Sequence, residues 1–405
     1  MKRLRYLKGD IINNLSILCV YFAAFASLYS DAANAVGLYV ALPLAFILIT
    51  LNNKGFHTTI YEKILYLLLL WDCIAYLWAD DKQLAKNEIN SVLGVFLLSY
   101  VVSVLSRDRR HIPYLYFAYV VLYLSAWNYA IHHILTLMVS QNDRLNDENL
   151  NANTLAYYTF YVSFLSFMMG EILRKKYWRS FWNVVFWFLL PFSYIISLLT
   201  ASREIAIIQV PLYALLIYIR YWKGSSKRKK AMLAGIAVVV LALASGTIIK
   251  SYNDSYLKQR AEMDLGDDPR TSLLKNAISV GIQNFPLGIG CNNFQAISVT
   301  RQIAHNSYLE AFADLGIIGL SLYTYLMGLF VYRQWKRYYK TKDKMYFVFF
   351  TFGLIYILDG VFFVFYNVLW LMSFFILVAN HSELYYKEHH MLSEQTTTDS
   401  ENQKI

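Results

Sequence analysis

Long apolar runs separated by short basic ones recur along the whole of the chain. A helix rises about 1.5 Å per residue, so crossing a hydrocarbon core of roughly 30 Å takes about 20 apolar residues. Twelve runs of about that length predict twelve transmembrane helices, near residues 11–30, 33–51, 60–78, 89–106, 113–138, 153–173, 181–199, 204–221, 231–249, 308–332, 345–360 and 364–380. Strands of a membrane barrel would alternate apolar and polar positions over short segments. These runs do not alternate, so the pattern predicts an all-α integral membrane protein.

Composition agrees. Hydrophobic residues make up 57% of the chain and charged ones 16%, with a mean hydropathy of +0.37; a soluble protein carries about 25% charged residues. One polytopic domain over residues 1–385 is expected, followed by a polar, disordered tail over 386–405. The first apolar span is long and lacks a small-residue cleavage site, so no cleavable signal peptide is expected. Cys19 and Cys73 fall in apolar spans and Cys291 in the long loop, which leaves neither a disulfide framework nor a zinc site.

The net charge of +10 would suit a nucleic-acid binder, but its placement argues for a membrane. With the N-terminus in the cytoplasm, 27 of the 37 Lys and Arg residues fall in inner segments, and every inner loop is basic. That is the positive-inside pattern, with Trp and Tyr clustered at span ends as in Tyr221-Trp222 and Tyr338-Tyr339. The basic runs read as topology signals and lipid headgroup contacts. Both termini are then cytoplasmic, and the one large loop, residues 250–307, faces outside.

That outer loop has order of its own. Thr271 to Phe285 places Leu274, Ala277, Ile278 and Ile282 on one face of a short amphipathic helix. Pro286 ends it, and Gly288 and Gly290 predict a tight turn where backbone can approach a ligand closely. Ser307 and Glu310 have the spacing of a capping box that starts the next span. His305 and Asn306 thus stand just ahead of a helix N-terminus, whose free N–H groups and dipole favour an anion.

The candidate chemistry gathers on this outer side. Arg203 stands at the outer end of a span, where a charge costs free energy, about 2.5–3.5 kcal/mol at the bilayer centre and less at the edge. It is either functional, a snorkelling side chain on lipid phosphate, or a partner of its neighbour Glu204. Arg270 follows Asp267 and Asp268, so a local surface ion pair is the alternative to a role in binding. His305 could cap or pack. Asp80 and Asp81 read as solvated caps at a membrane edge, with a paired-carboxylate metal site as the alternative, and residues 142–153 as a loop and helix cap or a glycan-contacting loop.

Taken together, two arginines and a histidine on one outer face suggest a pyrophosphate site. The guanidinium fork chelates phosphate oxygens bidentately and keeps its charge. A leaving diphosphate in a low-dielectric site needs that stabilisation, and a neutral imidazole can take the proton of an attacking hydroxyl. Lipid-diphosphate-dependent glycosyl transfer requires these parts. The sequence has neither a phosphate-binding Gly-rich loop nor a zinc ligand cluster, so neither cofactor nor metal is expected.

At this point the residues resemble the O-antigen ligase and O-antigen polymerase superfamily of bacterial envelope enzymes. The resemblance rests on Thr200-Ala201-Ser202-Arg203, on Arg270 heading an outer helix, on Pro286-x-Gly288-x-Gly290, and on His305-Asn306-x9-Gly316-x2-Gly319. Asn151-Ala152-Asn153 is similar to an Asn-Pro-Asn segment of the family. Two positions depart from the pattern: Glu204 stands where Gly is common, and Leu274 where a Trp is expected.

The resemblance implies a type C glycosyltransferase-like fold in the bacterial cytoplasmic (inner) membrane and a metal-independent, inverting transfer. The donor would be a glycan on undecaprenyl diphosphate, held by Arg203 and Arg270. His305 would activate the acceptor hydroxyl, with Ser202, Asn306, Gly288 and Gly290 contacting substrate. A ligase would use lipid A–core as acceptor and a polymerase another repeat unit; the fit of the histidine motif favours the ligase. The rival from another class is a lipid-linked oligosaccharide flippase, which needs charges deep in the bundle rather than at one face.

Overall fold

The computed structural model of the chain describes residues 2–27, 29–52, 58–137, 152–173, 175–200, 202–222, 226–232, 269–298 and 301–402. Among the described residues every regular element is a helix. Six of them are long and apolar enough to cross a membrane: Gly9–Ala26, Ala32–Asn52, Lys82–Leu105, Lys176–Ser197, Ser307–Thr341 and Lys344–Phe362. Other expected spans are helices as well, at Ile60–Ala75, Ile112–Leu137, Ala152–Ile172, Arg203–Ile217 and Leu369–Asn402. Residues 233–249 of the span expected near 231–249 and residues 250–268 of the outer loop lie outside the described residues, as do residues 142–151.

The surface bears large apolar side chains that a watery surface would not hold so densely. Leu51 is 79% exposed, Leu77 74% and Val184 68%. Exposed apolar area of this kind marks a surface that meets lipid or protein rather than water. Inside, bulky tyrosines fill the gaps: Tyr61, Tyr116, Tyr323, Tyr356 and Tyr366 are almost fully buried.

The chain divides into two compact units. The first comprises residues 1–118 and 272–405. In it, Ser307–Thr341 packs against Lys344–Phe362 and Ile60–Ala75, and Leu369–Asn402 packs against Lys82–Leu105. The last helix runs to Asn402, so it extends through most of the polar stretch expected as a disordered tail. That stretch has no Pro or Gly after Tyr386 to break a helix.

The second unit comprises residues 119–271. There Ala152–Ile172, Lys176–Leu199 and Arg203–Ile217 pack on one another. Their shared anchor is Arg220, whose side chain is 7% exposed and pairs with Glu171 at 2.9 Å. The same guanidinium donates to Asn183 Oδ1 at 2.7 Å and to the Phe167 carbonyl at 2.6 Å. A basic residue counted as a topology signal is therefore also a structural one.

Candidate functional site

The best-defined part of the candidate site belongs to the first unit and is built on one broken helix. Ser307–Thr341 is interrupted at Gly316, whose φ of 65° and ψ of −159° no helix contains. A break exposes backbone groups that must find partners when buried. Here they do. The carbonyls of Ala313 and Asp314 accept from the Ile289 and Gly290 amides at 3.0 and 2.9 Å. The Leu315 carbonyl accepts from Trp71 Nε1–H at 2.8 Å. The Ile317 amide, past the break, donates to the Pro286 carbonyl at 3.0 Å.

The Pro286-to-Gly290 turn is thus laced to the break by backbone bonds, and its glycines serve that lacing. Gly288 has φ 74° and Gly290 φ 100°, both left-handed. A Cβ on Gly288 would overlap the Asp314 carbonyl, and one on Gly316 would overlap the Pro286 carbonyl. One on Gly290 would meet Ala79. The close approach expected at a ligand is made to protein backbone: the spacing of the two Gly-x-x-type motifs is the spacing of two turns that interlock.

Side chains tighten the same joint. Asp314 Oδ1 accepts from the Phe294 amide at 2.7 Å. Asn293 exchanges bonds with residue 81, accepting from its amide at 2.8 Å and donating to its carbonyl at 3.5 Å. Asp81 itself caps Lys82–Leu105, its Oδ1 accepting from the Gln83 and Leu84 amides. Cys291 is buried beside Ala85, and burial, then the neighbouring carboxyl groups, pushes its thiol well above the usual range.

His305 is half-buried with φ 53°, a left-handed conformation unusual for a residue with a side chain. Both flanks of it are fixed. On one side the Ala304 amide donates to Glu310 Oε2. On the other, Asn306 is the N-cap: its Oδ1 accepts from the Tyr308 and Leu309 amides at 3.0 and 2.9 Å, and its Nδ2 donates to the Val361 carbonyl at 3.0 Å. Ser307 donates to the Phe363 carbonyl at 2.7 Å and accepts from the Phe365 amide at 2.9 Å.

The expected capping box of Ser307 and Glu310 is therefore not formed. Asn306 caps instead, because its carboxamide can accept at the helix end and donate across to Val361 at once. Glu310 is left to brace the His305 segment. The outer-loop helix also needs a correction. It runs Pro269–Gln283 and buries Leu273, Ala277 and Val280, while Ile278 and Ile282 are 42% and 64% exposed. The reason lies at Gly281, where any Cβ would strike the Phe312 ring. Absence of a side chain there draws that face, not the bulkier one, onto the broken helix.

The structure thus places Gly288 and Gly290 at the break of Ser307–Thr341, and His305 and Asn306 at the capped start of the same helix. Ser202, Arg203 and Arg270 belong to the second unit and are described within it. Ser202 is buried and is the N-cap residue of Arg203–Ile217, with its amide donating to the Ser197 carbonyl at 3.1 Å. Arg203 opens that helix. Arg270 is half-buried in the first turn of Pro269–Gln283.

Four residues that sequence reading passed over lie within the first unit: Trp71 at the break, and Asp72, Glu88 and Asp314, all buried. Asp72 could have been found, since a carboxyl inside an apolar span is itself a signal. Among the described residues, no group of three or more His, Cys, Asp or Glu has a metal-binding arrangement.

No curated protein matches the chain. Residues 184–324 match the family model described as O-antigen ligase. That stretch contains Ser202, Arg203, Arg270, both glycines of the turn, His305, Asn306 and the break at Gly316. Through this stretch, about a third of its length, the chain is similar to the O-antigen ligase family.

Proposed function

We propose that the protein is a membrane glycosyltransferase that moves a glycan from undecaprenyl diphosphate to an acceptor hydroxyl, as an O-antigen ligase. The observation that supports this most is the coincidence of the O-antigen ligase match over residues 184–324 with a histidine held by both neighbours at the head of a broken helix. A backbone held on both sides of a residue limits where its side chain can reach, which suits a group that must meet one hydroxyl.

In this reading Arg203 and Arg270 hold the diphosphate and offset the charge that develops as it leaves. Neutral His305 takes the acceptor proton. The hydroxyl oxygen then attacks the anomeric carbon opposite the diphosphate, and the configuration inverts. Ser202 sits at the N-cap of Arg203–Ile217, where the first amides of a helix suit an anionic ligand, while Asn306, which takes the first amides of its own helix, fixes the backbone beside His305. The site works from the outer face of the inner membrane, without metal or cofactor.

The deciding experiment incubates purified, reconstituted protein with undecaprenyl-diphosphate glycan and each acceptor in turn. Glycan on lipid A–core marks a ligase. Longer lipid-linked chains mark a repeat-unit polymerase. Movement of intact lipid-linked glycan across the bilayer, with no new glycosidic bond, would mean a flippase and overturn the proposal.

A further inference from the structure

Lys344–Phe362 follows Ser307–Thr341 after a short turn, and the two pack together as a hairpin of apolar spans. They touch closely at Gly353, where a Cβ would meet Val331 and Phe330. On the exposed flank of the hairpin they part. A groove of about 350 Å³ opens there, lined by Gly328, Val331, Tyr332, Trp335, Phe350 and Ile357. Gly328 helps to make the space, since a Cβ on it would meet nothing within 4 Å. Trp335 leans on Phe350, ring centroids 5.0 Å apart, and bridges the two helices. Tyr332 and Trp335 are 59% and 45% exposed, so the groove faces whatever surrounds the spans.

The chemistry of this flank is ordered along its length. Residues three and four apart share a helix face, so Gly328, Tyr332, Trp335, Lys336, Tyr339 and Lys340 form one stripe. The stripe runs from open space through aromatic rings to lysines over about 18 Å. Lys336 Nζ lies over the Tyr332 ring, 5.8 Å from its centroid, so its charge stands at the end of the groove.

These lysines are not committed elsewhere in the protein. Among the described residues neither Lys336 nor Lys340 takes part in an ion pair. The nearby acids have other partners. Glu383 takes Arg333 and Arg337, at 3.6 and 2.7 Å. Asp343 accepts from the Met345 amide at 2.9 Å and from the Tyr385 hydroxyl at 2.7 Å. The end of the groove therefore has cations to offer an anion. A lipid has the matching order: chains in the hydrocarbon, a linkage at the depth where Trp and Tyr collect, and a headgroup beyond. Lysines just outside a span attract anionic headgroups in particular.

We propose that this groove binds a phospholipid with an anionic headgroup. One acyl chain lies along Gly328, Tyr332 and Trp335, against Phe350 and Ile357, and the phosphate meets Lys336 and Lys340. The site requires the hairpin to cross a membrane and nothing of the glycosyl-transfer reading. A lipid that bridges both helices binds the folded state and raises its unfolding temperature.

The test uses delipidated full-length protein in neutral detergent. Native mass spectrometry reads bound lipid, and thermal unfolding reads its effect. The probes are dioleoyl phosphatidylglycerol, dioleoyl phosphatidylcholine, and glycerol 3-phosphate, which carries the phosphate without chains. Phosphatidylglycerol alone is expected to bind and to raise the unfolding temperature at a concentration where the others do neither. With Lys336→Ala and Lys340→Ala combined, it should bind at least about tenfold more weakly. Gly328→Phe, which puts a ring into the groove, should lose the stabilisation. Equal binding of phosphatidylcholine, or of glycerol 3-phosphate, overturns the pairing of chain with charge. Unchanged phosphatidylglycerol binding in either folded variant overturns the site, and the exposed lysine pair decides this even if Gly328→Phe does not fold. A wild type that binds no lipid but dimerises, and is monomeric as Gly328→Phe, would give the groove to a second copy of the chain and overturn it too.

Discussion

At the scale of single residues, the broken helix shows how two glycines can lock a turn against a helix. Gly316 must be left-handed and must have nothing where a Cβ would stand, because the Pro286 carbonyl occupies that space. Gly316→Ala and Gly288→Ala are therefore expected to destabilise the protein by at least about 2 kcal/mol, through both strain and overlap. Gly328→Ala, on the same helix with open space around it, should be neutral or gain about 0.5–1 kcal/mol. Thermal unfolding of the three variants in detergent separates them; a Gly316→Ala protein as stable as Gly328→Ala would refute the interlock. The proposed chemistry makes a different forecast. Arg203→Ala, Arg270→Ala and His305→Ala should each abolish glycan transfer while protein level stays normal, and wild-type rates in all three would end the catalytic reading.

Between elements, the contacts that matter are made by residues whose partners lie far away in sequence. Trp71 is 244 positions from the carbonyl it satisfies. Trp71→Phe keeps the ring and loses the donor, so it should cost about 1 kcal/mol, the worth of one hydrogen bond, seen as a lowered unfolding midpoint. In the second unit, Glu171→Ala would leave the Arg220 guanidinium buried without its carboxylate, a loss of about 3–5 kcal/mol. An unchanged midpoint there would show that Asn183 and the Phe167 carbonyl suffice. This scale also shows what a sequence can and cannot disclose. The span pattern revealed helices because period and length are local properties. Ser307 and Glu310 had the right spacing for a capping box, yet Asn306 took the cap, because Val361 supplies it with a second partner. The outer-loop helix turned a different face inward because Phe312 fills the space beside Gly281. Neither Val361 nor Phe312 is visible in local pattern.

For the whole molecule, the His305-Asn306-x9-Gly316-x2-Gly319 motif was legible as a string, but its reason was not. The nine intervening residues carry Glu310 and Asp314, which hold Ala304 and Phe294 in place. The motif thus records the length of helix needed between the capped end and the break. Asp72 was overlooked because it lies in a run that reads as scaffold. Orientation remains the molecular property on which every proposed role depends, since the donor glycan must meet His305 on the outer side. The charge distribution makes a sharp forecast of it. With 27 of 37 basic residues in segments assigned to the inside, reversing the protein would carry all of them across the membrane. Lys227→Cys and Gln283→Cys, both at exposed positions, should therefore react with a membrane-impermeant thiol reagent from opposite faces. In intact cells Gln283→Cys should label and Lys227→Cys should not, until the membrane is permeabilised. Labelling of both from outside, or of Lys227→Cys alone, would place His305 on the cytoplasmic face and remove the proposed donor from its reach.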